Sequence, residues 1–144
     1  MFENADIRGE IIHLDAVLKK IYDNHDYPIT IKELLTEVLL CTILMSSTLK
    51  YEGQLTLQFQ SKSALSLLLV KCNNLFEVRA LAQFDKDVEP SEYYKSITEG
   101  SLVVTIESNK LVKLLSSCSR WSLIDSTLKF KSGSSISIFF VSIY

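Results

Sequence analysis

Glycine, proline, cysteine and histidine are all scarce in this chain of 144 residues, which holds 4 Gly, 2 Pro, 3 Cys and 2 His. Each shortage excludes a class of chemistry. The few glycines form neither a phosphate-cradling loop nor a Gly-x-Ser-x-Gly nucleophile elbow, and no His-Glu-x-x-His is present. Cys41, Cys72 and Cys118 are odd in number and each lies more than thirty residues from the next, so no Cys-x-x-Cys redox pair or zinc knuckle can be drawn. With only His13 and His25 beside them, the expectation is no metal and no cofactor in this chain. Charge of one sign is also lacking: a net charge of −2 leaves no electrostatic footprint for nucleic acid. The longest uncharged run of the first half, residues 38–49, has 12 residues against the roughly 20 a membrane span needs. The start, Met1-Phe2-Glu3-Asn4-Ala5-Asp6, has no basic, apolar signal pattern. These features lead us to expect a single cytoplasmic domain with neither nucleic acid nor membrane as partner.

Catalytic groups are equally sparse. His25-Asp26 is the only adjacent His–acid pair, and it sits in a helix-ending loop before Tyr27-Pro28, where it reads as turn chemistry. Asp85, Lys86, Asp87 and Glu89 read as a solvated charged turn rather than a cation site. No nucleophile, base or metal set can be assembled, so the chain is not expected to be an enzyme.

What is present is 47% hydrophobic content arranged as helices first and strands afterwards. Residues 8–14 are β-rich and read as an early strand. Residues 16–24 place Val17, Leu18 and Ile21 opposite Lys19, Lys20 and Asp23, an amphipathic helix with Asp15 as its expected N-cap. After Pro28, Thr30 and Glu33 have the spacing of a capping box opening a long helix to about Leu49. Its apolar face is Ile31, Leu34, Leu35, Val38, Leu39, Ile43 and Leu44, and its second half is apolar on nearly every side, as in a buried helix.

Strict alternation then begins. Leu55, Leu57 and Phe59 lie opposite Gln54, Thr56, Gln58 and Gln60. Residues 64–72 and 77–85 supply two further strands, with Asn73-Asn74 as a turn that tolerates positive φ, and short connections imply an antiparallel meander. A short helix at residues 90–95 and a strand at residues 102–107 follow. The expected fold is α+β: a mostly antiparallel sheet of about five or six strands packed against a long buried helix and shorter helices.

One face of that sheet is unusual. In whichever phase Leu67, Leu68, Leu69 and Val70 run, they put aliphatic side chains on both sides, and Leu81 and Val103 also fall on the minor face. Either the C-terminal segment or a dimer partner covers this surface, or it is an adaptable apolar platform for another polypeptide. Beyond residue 107 the composition shifts: eleven of the 37 residues from Ser108 to Tyr144 are serine, and the segment carries +4 against −6 before it. Residues 122–130 fit a helix. Residues 135–144 are β-rich and apolar on both faces, an edge strand if paired and an aggregation hazard otherwise.

The order of motifs resembles the N-terminal domain of the thirty-three-kilodalton heat-shock protein family, the redox-switched holdase chaperones. The resemblance lies in Ile7-Arg8-Gly9-Glu10 running to Leu14, in His25-Asp26-Tyr27-Pro28, and most specifically in the run from Ser47-Thr48-Leu49-Lys50-Tyr51-Glu52-Gly53 to Gln60. Leu68-Leu69-Val70 with Cys72-Asn73, Val78-Arg79-Ala80 and Gly100-Ser101-Leu102-Val103-Val104-Thr105-Ile106 extend it, so that it covers residues 7 to about 107. The resemblance implies an ATP-independent chaperone that binds unfolding client proteins and forms a homodimer, its zinc held by four C-terminal cysteines that this chain does not show. It departs from the family after Ser108: no Tyr-Gln-Gly strand motif is found, and Lys131-Ser132-Gly133-Ser134-Ser135 stands where a Gln-Ser-Glu-Gln tract is expected. Residues 1–144 are therefore expected to be one client-binding and dimerisation domain with a divergent tail over residues 108–144, lacking the redox and zinc switch. The candidate client-binding residues are Leu67, Leu68, Leu69, Val70, Leu81 and Val103. The alternative is a truncated remnant that self-associates as a structural domain without binding clients.

Overall fold

The computed structural model describes residues 7–49, 51–108, 111–118 and 140–143. In chain order these form β1 (Ile7–Glu10), α1 (Asp15–Asp23), α2 (Ile29–Thr48), β2 (Gly53–Gln60), β3 (Leu65–Asn73), β4 (Val78–Phe84), α3 (Pro90–Glu99), β5 (Ser101–Ser108), β6 (Leu111–Cys118) and β7 (Phe140–Ile143). Five strands make one sheet in the order β4-β3-β2-β5-β6, every neighbouring pair antiparallel. The fold is α+β, with α2 laid across the sheet. Because β4 is an edge strand and β5 lies on the far side of β2, the chain must cross two strands between them, and α3 makes that crossing.

Helix α2 is 20 residues long, about 30 Å at 1.5 Å per residue. All seven residues of its expected apolar face are buried, and so are Leu40, Thr42 and Ser46 toward its C-terminal half. Opposite them the sheet supplies Leu55, Leu57 and Phe59 from β2, Leu68, Val70 and Cys72 from β3, and Ala82 from β4. Two buried threonines on α2 cost little, because Thr36 and Thr42 hydroxyls donate to the Lys32 and Val38 carbonyls one turn back, at 2.6 and 2.7 Å.

Several helix starts differ from expectation. α1 begins at Asp15 itself, with buried Leu14 at the cap position and no side-chain cap. Asp15 therefore acts through its charge in the first turn, which the helix dipole favours. Helix α2 begins at Ile29 with Pro28 at the cap, and the Thr30–Glu33 capping box does not form. Pro28 already points the chain into the helix (φ −55°, ψ 154°), which turns Thr30 inward to 6% exposure, and Glu33 instead accepts a 3.3 Å hydrogen bond from the Tyr94 hydroxyl. β1 is shorter than the strand expected over residues 8–14. α3 is longer than expected, with Pro90 in its first turn.

The tail also behaves differently. Residues 111–118 carry no family strand motif, yet they form β6 against β5. β7 pairs antiparallel with β1, Ile7 opposite Ile143, as a separate two-stranded ribbon rather than an added edge of the main sheet. The helix expected over residues 122–130 and the serine-rich tract at 131–135 lie outside the described residues.

The turn forms at Asn73-Asn74 as expected, and the positive φ in it is held by Phe76 (φ 59°). Asn73 holds the turn by its side chain: Oδ1 accepts the Leu75 and Glu77 N–H groups at 3.0 and 2.9 Å, and Nδ2 donates to Glu77 at 2.6 Å. Leu75 and Phe76 are left exposed at the hairpin tip.

Candidate functional site

Strand register sorts the six candidate residues into two sets. Val70 pairs with Leu57 and Ala80, and Leu68 with Phe59 and Ala82, so Leu68 and Val70 share the helix-facing side and are fully buried beneath α2. They are core residues and present nothing to a client. Leu69 pairs with Gln58 and Leu81, Gln58 pairs with Val103, and Leu67 lies level with Gln60 and Gln83. Leu67, Leu69, Leu81 and Val103 therefore share the face opposite α2, and all four are half-buried there. The register of β3, legible only from its neighbours, separates one apolar run into a core set and a surface set.

Across this second face the side chains are arranged in levels two residues apart. One level is Leu81, Leu69, Gln58 and Val103; the next is Arg79, Lys71, Thr56 and Thr105. Thr56 is 6% exposed and its hydroxyl has no hydrogen-bond partner among the described residues. One further level along, the Gln54 side-chain amide donates to Glu107 at 3.5 Å. The face thus grades from aliphatic through cationic and hydroxylic to amide and acidic.

The opposite side of the sheet is closed by tyrosines. The Tyr27 hydroxyl accepts the Ala82 N–H of edge strand β4 at 3.3 Å, Tyr93 donates to the Asp85 carbonyl at 2.7 Å, and Tyr51 donates to the Cys72 carbonyl at 3.3 Å while sharing a 2.6 Å bond with Ser46. The Ser96 hydroxyl accepts the Leu65 N–H at 3.1 Å where β3 is irregular. These bonds tie backbone groups of edge strand β4, of interior strand β3 and of the residue after β4 to Tyr27, to α3 and to Tyr51.

Among the described residues no reactive constellation is assembled. Cys41 lies on α2, where burial and then the neighbouring Glu37 charge push its thiol up to about 11. Cys72 is buried on β3, and burial raises its thiol as well. Thiolates are scarce in both settings, so neither residue is a ready redox centre. His25 is exposed, its ring 5.1 Å from that of Tyr27, and Asp26 beside it is exposed too. Asp85 uses a carboxylate oxygen to accept the Asp87 N–H at 3.2 Å, closing the charged turn on itself. No group of three His, Cys, Asp or Glu side chains that would hold a metal occurs among the described residues.

The family model described as Hsp33 protein matches residues 1–118, and so includes β6. The chain belongs to the Hsp33 family. A 33 kDa chaperonin of Serratia proteamaculans is 36% identical over 107 residues, which is 74% of this chain and 37% of that protein. The 33 kDa chaperonin of Salmonella typhi is 37% identical over the same shares. That of Vibrio parahaemolyticus is 33% identical over 111 residues, 76% of this chain and 38% of the relative. The chain thus spans little more than a third of the curated Hsp33 relatives it matches. The crystal structure of the Hsp33 homologue from Thermotoga maritima superposes with a TM-score of 0.68 at 16% identity, covering 99% of this chain and 58% of that one. That likeness establishes a shared fold. Among the described residues no helix is long and apolar enough to cross a membrane.

Proposed function

We propose that this chain is the client-binding core of an ATP-independent holdase of the Hsp33 family, acting in the cytoplasm as a homodimer on unfolding proteins. The observation that carries the reading is the convergence of Leu67, Leu69, Leu81 and Val103 on the sheet face that α2 does not cover. An aliphatic patch on a flat sheet accommodates extended segments of many sequences, because burial of apolar area is non-directional. Family membership supports the same reading.

On this reading holding by the core needs no redox event at Cys41 or Cys72, which are half-buried and buried with thiols shifted toward the protonated form. Light scattering of a heat-unfolded client, with and without the protein, tests this directly. Suppression at near-stoichiometric ratio, equal in dithiothreitol and hydrogen peroxide, is the expected result. A response that appears only after oxidation would overturn the redox-independent core. A folded, soluble protein with no suppression would overturn client binding and leave a self-associating structural domain.

A further inference from the structure

Two cations stand directly opposite each other on the second face. Lys71 on β3 and Arg79 on β4 are register partners, and neither has a carboxylate within ion-pair distance among the described residues, where Lys95–Glu92 on α3 forms such a pair. Like charges in directly opposed strand positions repel and destabilise a sheet. The same level holds Thr56, whose buried hydroxyl has no hydrogen-bond partner among the described residues. One level of this face therefore carries two uncompensated features in the free chain, and it adjoins the aliphatic level of Leu69 and Leu81.

The spacing defines what would relieve the repulsion. Along β3 the second-face positions are Leu67, Leu69 and Lys71, and along β4 the levels run Gln83, Leu81 and Arg79. Alternate residues of a strand lie about 6.8 Å apart. An extended peptide laid over β3 has the same period. Two apolar side chains at alternate positions then meet Leu67 and the Leu69–Leu81 pair, and the next alternate position meets Lys71 and Arg79. We infer that this face prefers extended client segments of the pattern apolar-x-apolar-x-acidic, the carboxylate binding between Lys71 and Arg79. The inference rests on the client-holding reading and adds a charge preference to it. A basic residue at the third position would meet two like charges and be rejected.

Fluorescence anisotropy with three labelled peptides tests it, each carrying valine at two alternate positions and Asp, Asn or Lys at the third, against the full chain at low ionic strength. The Asp peptide is expected to bind about tenfold tighter than the Asn peptide, as two partly exposed charge contacts allow, and the preference should fade with added salt. In K71Q/R79Q the Asp preference should vanish while Asn-peptide affinity stays, which reports an intact face. In K71E/R79E the preference should invert toward the Lys peptide. Equal binding of all three peptides by the native chain, or an Asp preference that survives in K71Q/R79Q, would overturn the charge preference and leave client binding standing. Binding of none of them would overturn both. Binding of phosphatidylglycerol vesicles by a chain that ignores the peptides would assign the cations to lipid and overturn the proposal as well.

Discussion

Thr56 and Cys41 show how single side chains report their surroundings. The Thr56 hydroxyl is buried without a partner among the described residues, and a buried polar group in that state costs about 1–3 kcal/mol. Thr56→Val keeps the shape and removes the hydroxyl. Urea unfolding is expected to show the variant more stable by about 1 kcal/mol; a destabilised Val variant would reveal a partner for the hydroxyl. Cys41 makes a pH prediction. Its thiol is raised from 9.0 to about 11, first by burial and then by Glu37, so the fold favours the protonated form. That contribution is complete below pH 9 and is lost as pH rises from 9 through about 11. Tyr22, Tyr51, Tyr93 and Tyr94 are also shifted upward by burial, so the contribution of Cys41 is read as the difference between the native chain and Cys41→Ala. The native chain should lose stability more steeply over that window; parallel curves would place Cys41 in water. At this scale the sequence was legible where one residue decides, as for the inert setting of Cys41. It was misleading at Asp15 and Thr30, where a neighbouring residue took the cap.

Elements carry their own constraints, and two backbone positions expose them. Gly100 ends α3 beside β2, and a Cβ there would lie 2.1 Å from a Phe59 ring carbon and 2.8 Å from the Gln60 carbonyl oxygen. Phe59 is fully buried and the carbonyl belongs to the backbone, so neither yields cheaply. Gly100→Ala is expected to cost about 1–3 kcal/mol in thermal or chemical unfolding, and an unchanged midpoint would mean that β2 and α3 separate easily. Phe76 has the opposite sense. It holds φ 59° at an exposed tip, where a side chain costs about 1 kcal/mol relative to glycine and packing returns little. Phe76→Gly should stabilise the hairpin by about that amount; a loss would show that the ring is packed. The meander and the buried helix were readable from periodicity, because alternation and a continuous apolar run are local signals. The strand at Leu111–Cys118 was not readable, since its strand form comes from pairing with β5.

At the scale of the whole molecule, two adjacent leucines separate stability from function. Leu68 is fully buried under α2, whereas Leu69 is half-buried on the opposite face. Leu68→Asp places an unpaired charge in the core and is expected to unfold the protein. Leu69→Asp should keep the circular dichroism spectrum and most of the thermal stability while lowering suppression of client aggregation severalfold. Full suppression by a folded Leu69→Asp variant would move client binding away from this face. The exposed tip at Leu75 and Phe76 is a second apolar feature that sequence reading passed over as a plain turn.

Composition, alternation and spacing by themselves determined the α+β class, the buried helix and the excess of aliphatic residues in the sheet. Local patterns are sufficient for this, since the period of side-chain direction is a property of each element alone. The motif resemblance over residues 7 to about 107, a separate signal from these patterns, named the family that the comparison shows. The assignment of Leu68 and Val70 to the core, the pairing of β7 with β1 and the opposition of Lys71 to Arg79 were decided only by tertiary structure. Register and strand partners depend on residues distant in the chain, and shifting a strand by one residue exchanges its two faces without changing its sequence.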